Sequence, residues 1–101
     1  MVYNLFACGR DHKVKIRAYE YCTNGNLALR LFEIGKGPYA TLTVNIAGER
    51  PLPLNQAFVD TNNCGWAERF IKENRLGVPT GEYGFSGSCA YPLYEFDLTK
   101  L

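Results

Sequence analysis

Apolar and polar residues alternate over two runs in the first third of the chain, Val14–Tyr21 and Leu27–Ile34. Such alternation marks a strand buried on one face, because successive side chains of a strand point to opposite sides. Between the runs stands Asn24-Gly25. That dipeptide is the favoured centre of a two-residue hairpin turn, where both positions need positive φ. A turn centred there predicts Cys22 opposite Leu27, Ala18 opposite Leu31 and Ile16 opposite Glu33. Val14, Ile16, Ala18 and Cys22 then share a core face with Leu27, Leu29 and Leu31. Gly35-Lys-Gly-Pro38 is a second group of turn formers, followed by a third run, Tyr39–Ile46. Pairing Ile34 with Tyr39 predicts Leu31 opposite Leu42, Leu29 opposite Val44 and Leu27 opposite Ile46. The same face stays apolar across all three strands, and that agreement between two independent turns supports the register. A further strand at about Val2–Ala7 is expected to join this sheet.

The pattern changes after residue 46. Residues 47–56 contain Pro51 and Pro53 and read as a loop, and Ala57–Asp60 reads as a short strand. Over Trp66–Leu76 the period lengthens to that of a helix. Trp66, Ala67, Phe70 and Ile71 fall on one side and Glu68, Arg69, Lys72 and Glu73 on the other. Gly77 suits the residue just past a helix, and Pro79 prevents continuation. Gly81–Gly87 reads as a glycine-spaced loop. In Cys89–Leu98, Tyr94, Phe96 and Leu98 alternate with Glu95 and Asp97, as a final strand would. The expected fold is a single α+β domain over residues 1–101. It has two layers: a mostly antiparallel β-meander sheet and one main helix packed on one of its faces.

Composition fits this picture. A chain of 101 residues with 47% hydrophobic and 14% aromatic content can bury a core without staples. The net charge of +1 argues against a large electrostatic footprint for nucleic acid or membrane. The charge is unevenly placed: residues 1–50 hold seven Lys/Arg against four Asp/Glu, and residues 51–101 hold four against six. Cys8, Cys22, Cys64 and Cys89 show neither metal-ligand nor redox spacing, and there is a single histidine. No signal-peptide pattern opens the chain and no transmembrane run occurs, so a cytoplasmic location with reduced thiols is expected. No metal, cofactor or membrane partner is expected.

The densest polar stretch is Asp60-Thr-Asn-Asn-Cys64, at a strand-to-helix junction. Its first reading is structural, since Asp, Thr and Asn are the side chains that cap a helix start. Its functional reading has Asp60, Asn62 and Asn63 holding an anion or a partner's backbone. Cys64 in a first helical turn is a minor nucleophile candidate. His12, in Gly9-Arg-Asp-His-Lys13, reads as an exposed turn residue, and a zinc site with the cysteines has nothing in its favour. Glu95 and Asp97 read as a solvated strand face rather than an acid–base pair. Gly35-Lys-Gly-Pro-Tyr-Ala40 formally fits a dinucleotide motif but precedes a strand, where the motif needs a helix.

The strongest candidate surface is the second face of the sheet. The predicted register places there Lys15, Arg17, Tyr19 and Tyr21, then Arg30, Phe32 and Ile34, then Tyr39, Thr41 and Thr43. Tyrosine and arginine are favoured in protein interfaces. Cations interleaved with aromatics also suit single-stranded nucleic acid. Against both stands the expectation that the C-terminal segment or a second copy of the chain, as a homodimer, covers this face.

Several strings taken in order resemble a family of small uncharacterised bacterial proteins common in conjugative elements, plasmids and phages. They are Pro38–Asn45, Ala57–Cys64, Phe70–Asn74 with Leu76-Gly77, Pro79–Gly81, Ser86-Gly87 and Tyr91–Phe96. The resemblance covers almost the whole chain. Family members often have proline where this chain has Gly65, which weakens helix initiation slightly. The family is a domain of unknown function and supplies no catalytic residues. What it implies is genomic company, because small proteins of mobile elements often block host defence by binding a nuclease. Three functions are therefore expected in decreasing order. The first is a non-catalytic protein-binding module, an anti-CRISPR or anti-restriction inhibitor occluding a CRISPR or restriction nuclease of the host. The second is a nucleic-acid-binding accessory protein. The third is a small enzyme using a thiol or carboxylate.

Overall fold

A computed structural model describes residues 1–46 and 50–101. It is an α+β fold with two antiparallel sheets where the sequence predicted one. The first sheet is a meander of β1 (Tyr3–Ala7), β2 (Arg10–Glu20), β3 (Leu27–Glu33) and β4 (Gly37–Thr41) in that order. The second has β5 (Thr43–Val44), β6 (Gln56–Val59), β8 (Cys89–Phe96) and β7 (Gly77–Ser86), in the order β5-β6-β8-β7. One helix, α1 (Ala67–Glu73), lies between β6 and β7 in the chain, and a short 3₁₀ turn, Leu98–Lys100, ends it. The predicted third strand is thus divided at Leu42. Leu42 donates its N–H to Leu29 of the first sheet and accepts from Asp60 N beside the second. One residue serves both ladders, so the chain changes sheets there without an orphaned backbone group.

The first hairpin keeps its faces but not its register. The pairs are Ala18↔Leu29 and Ile16↔Leu31, two residues away from the prediction. Only Gly25 of the Asn24-Gly25 pair has positive φ. Asn24 instead accepts Asn26 N on its side-chain oxygen, and Tyr21 exchanges backbone hydrogen bonds with Asn26 and Gly25. The turn is therefore a four-residue loop, Cys22–Gly25. It lifts Cys22 into solvent, and Ala18, beyond the end of the core, is exposed too. A shift of two leaves the side chains of the paired residues on their predicted sides, so Val14, Ile16, Leu27, Leu29 and Leu31 are buried as expected. The turn with two adjacent positive φ values lies elsewhere, at Cys8-Gly9 between β1 and β2.

The second hairpin contains a bulge. Pro38 pairs with Phe32 and Ala40 with Leu31, which leaves Tyr39 as the extra residue. An extra residue on one strand reverses the facing that alternation predicts. Tyr39 accordingly packs inward, its ring 4.6 Å from that of His12 and 6.1 Å from that of Trp66. Thr43 is buried as well, where its hydroxyl meets Leu29 N and the Tyr21 hydroxyl.

The main core joins Leu5, Val14, Leu29, Leu31 and Leu42 of the first sheet region to Val59, Tyr94 and Phe96 of the second. The helix closes it with Ala67, Phe70 and Ile71, the predicted apolar stripe. A smaller core of Ile46, Phe58, Tyr91 and Leu93 lies on the opposite face of the second sheet. Of the predicted loop over 47–56, residues 47–49 lie outside the described residues, and Arg50–Asn55 is without strand or helix. The predicted loop at Gly81–Gly87 is instead the second half of β7, paired to β8 through a turn at Gly87-Ser88.

Both ends of α1 differ from prediction. The helix starts at Ala67, one residue late, and its N-cap position, Trp66, offers no side-chain cap. At the other end Leu76 N bonds to Ile71 O and Arg75 N to Lys72 O. That pair of bonds is the Schellman closure, and it puts Arg75, with φ 54, at the left-handed position foreseen for Gly77. Gly77 is needed for another reason. A Cβ there would lie 2.5 Å from the Glu95 carbonyl oxygen.

Candidate binding face

The helix and the main core lie on the inner side of the first sheet, and most of its outer side faces solvent. Lys15, Arg17 and Arg30 are exposed, Tyr19 is 40% exposed, and Tyr21 and Phe32 are half-buried. The C-terminal segment does not cover them, for it forms β8 in the other sheet. Arg17 and Arg30 are directly opposed on β2 and β3, and each guanidinium turns away to an aromatic ring. Arg17 lies over Phe32 at 4.8 Å from the ring centroid, and Arg30 over Tyr19 at 5.7 Å. At the β1 edge of the same sheet, Arg69 of the helix stands over Phe6 at 5.9 Å. Stacking against a ring holds a guanidinium in place and leaves the N–H groups at its rim free to bond.

Among the described residues no ion pair engages Lys15, Arg17 or Arg30 on that face. The pairs among those residues are His12–Glu33, Lys36–Glu33, Arg50–Glu82 and Arg69–Glu73. Lys15, Arg17 and Arg30 have no carboxylate partner among the described residues, and Lys13 bonds only to the neutral Asn4 side chain. The small net charge thus conceals a local concentration of cations. Tyr39, which the sequence put on this face, belongs to the inner side because of the bulge.

Asp60, Asn62 and Asn63 lie away from this face, in the turn that follows β6. Asp60 is buried, and its two carboxylate oxygens accept from Asn63 N at 3.1 Å and Asn63 Nδ2 at 2.9 Å. It therefore caps a separate turn over residues 61–64 rather than α1. The carboxylate is occupied by its own neighbour, and Asn62 and Asn63 are exposed. Cys64 is buried, its Sγ 3.6 Å from the Thr41 carbonyl. Burial first, and the nearby Asp60 second, push its thiol pKa up, away from the thiolate that nucleophilic chemistry uses. Glu95 is exposed, and Asp97 is engaged by Thr99 N and Oγ1 of the 3₁₀ turn, which holds its carboxyl below the usual range.

One cluster escaped sequence reasoning. His12 is buried on β2, not exposed in a turn. Its Nδ1 is 2.8 Å from Glu33 Oε2, and its Nε2 is 3.2 Å from the Ala7 carbonyl and 3.5 Å from the Tyr39 hydroxyl. The hydrogen bond from His12 holds the Glu33 carboxyl below its ordinary range. The signal was present in the sequence, since His12 continues the spacing of Val14 and Ile16 on the core face. This cluster closes the end of the inner face beside the Cys8-Gly9 turn. Among the described residues no group of three His, Cys, Asp or Glu side chains is disposed to hold a metal ion.

Two antiparallel sheets, one short helix and an uncovered cationic sheet face define a small α+β domain. The chain belongs to the family described as a domain of unknown function, DUF4313, whose profile matches residues 14–101. No curated protein and no solved structure matches it. Among the described residues no helix is long and apolar enough to cross a membrane.

Proposed function

We propose that this chain is a non-catalytic protein-binding module that docks an acidic surface of its partner on the outer face of the first sheet. The observation that carries this reading is the pair of stacked arginines, Arg17 on Phe32 and Arg30 on Tyr19, on a face whose one strand carboxylate among the described residues, Asp11, lies at the far end of β2. Their side chains are ordered before any partner arrives, so less conformational freedom is lost on binding. Planar N–H forks then meet carboxylates in paired hydrogen bonds. The aromatic faces that would stack nucleic-acid bases are the ones the guanidiniums cover, which is why an acidic protein is favoured over a single strand.

The family resemblance suggests the setting of a mobile element or phage in the bacterial cytoplasm, with a CRISPR or restriction nuclease of the host as the partner. A cationic face would not enter the basic channel in which a nuclease holds nucleic acid. An inhibitor of this kind would seize an acidic patch outside that channel and block a movement or an assembly step. Replacing Arg17 and Arg30 together with alanine is expected to abolish capture of the partner from nuclease-treated host lysate while the fold persists. Unchanged capture by the double variant would reject this face. The second reading, nucleic-acid binding, rests on the same unpaired cations. It requires retained material that disappears on nuclease treatment and an affinity that falls steeply with salt.

A further inference from the structure

Among the described residues β7 is an edge strand, and its outer edge divides into two unlike halves. Edge strands are normally blunted against foreign strands by proline, charge or a bulge. The first half has all three: Pro79, the ion pair of Glu82 with Arg50, and a register break between Pro79 and Tyr83. Gly81 takes up the break with φ 90, and the Thr80 hydroxyl bonds the Leu93 carbonyl that the break frees. The second half, Tyr83–Ser86, has none of them. Its pairing with β8 is regular, and no residue from Tyr83 to Tyr94 is charged. Tyr83 is 57% and Phe85 68% exposed, the latter among the most exposed aromatic side chains of the chain. Gly84 between them points to the opposite face, where a Cβ would meet Ile46 and Phe58.

We infer that two copies of this chain pair through antiparallel contact of this half of β7, with Tyr83 opposite Phe85 of the partner subunit. The ladder itself supports the register. Ser86 and Cys89 flank the two-residue turn and exchange hydrogen bonds with each other, so the next pair, Phe85↔Ala90, does not, and neither does Tyr83↔Pro92. The N–H and C=O groups of Tyr83 and Phe85 therefore point out of the sheet edge. These two sets of donors and acceptors are related by a two-fold axis through Gly84, and each satisfies the other. Glu82 then faces an uncharged serine across the interface, so no like charges meet, and the four exposed aromatic rings lie together on one face. An uncharged, self-complementary edge selects another like itself, whereas an acidic partner has nothing to meet there. This contact lies on the second sheet and is independent of the cationic face of the first.

Sedimentation velocity over a range of concentrations tests the inference, with hydrogen exchange of the Tyr83 and Phe85 amides read in parallel. The wild type is expected to show a reversible dimer at micromolar concentration, with both amides slowed as the dimer forms. Phe85→Lys and Tyr83→Lys, each checked for a native circular dichroism spectrum, are expected to weaken dimerisation by roughly tenfold or more. A protein that stays monomeric at every concentration would overturn the inference. So would a dimer that persists in both variants, or one in which these two amides exchange as fast as in the monomer.

Discussion

Gly77 and Arg75 offer a test in which two readings of one helix end predict opposite outcomes. In the structure Gly77 opens β7 and pairs with Phe96, and an added Cβ would stand 2.5 Å from the Glu95 carbonyl oxygen and 3.1 Å from the Phe96 Cα. Both obstacles are backbone, so no side chain can rotate away. Ordinary contact requires β7 and β8 to separate locally by about 0.9 Å, at the end where β8 enters the main core. Overpacking of this kind costs about 1–3 kcal/mol. At roughly 4–8 °C per kcal/mol for a domain of this size, Gly77→Ala should lower Tm by about 10 °C. Arg75→Gly works the other way. It removes the cost of holding an L residue at φ 54, about 1–2 kcal/mol, against about 0.5–1 kcal/mol for the greater freedom of glycine in the unfolded chain. Its Tm should stay level or rise by a few degrees. Had Gly77 been the capping residue, Arg75 would lie in the helical last turn and glycine there would destabilise by about 1 kcal/mol. Thermal unfolding followed by circular dichroism decides between them. A neutral Gly77→Ala together with a destabilised Arg75→Gly would refute the Schellman closure at Arg75.

Two further outcomes follow from the buried groups. The Glu33 carboxyl is held below its ordinary pKa of 4.5, first by the hydrogen bond from His12. Its contribution to stability is therefore complete above that value and is lost as the pH falls through the lower folded-state value. In urea titrations at successive pH values, Glu33→Gln should flatten the loss of stability in acid, and an unchanged acid slope would contradict the His12–Glu33 pairing. Thiol labelling at neutral pH should modify the exposed Cys8 and Cys22 readily and Cys64 only when the fold opens. Stoichiometric labelling of native Cys64 at the rate of Cys8 would show that its burial is wrong.

The sequence by itself determined which residues share a face. Alternation has a period of two, so the real loop of four residues at Cys22–Gly25 displaced the register by two and left Val14, Ile16, Leu29 and Leu31 inside and Lys15, Arg17 and Arg30 outside. The apolar stripe of α1 was equally legible, because Ala67, Phe70 and Ile71 can meet a core only from one side of a helix. What the tertiary structure alone decided were events of one residue. The bulge at Tyr39 reversed its facing and removed it from the outer surface, and the change of ladder at Leu42 divided one expected sheet into two. A local pattern does not record such events, because a single inserted residue costs little locally and is fixed by partners distant in the chain. His12 finds Glu33 after 21 residues, and Leu42 finds Asp60 after a loop and another strand. The exposed edge at Tyr83–Ser86 was hidden for the same reason. Its glycines read as a loop until β8 returned alongside and gave them a ladder on one side only.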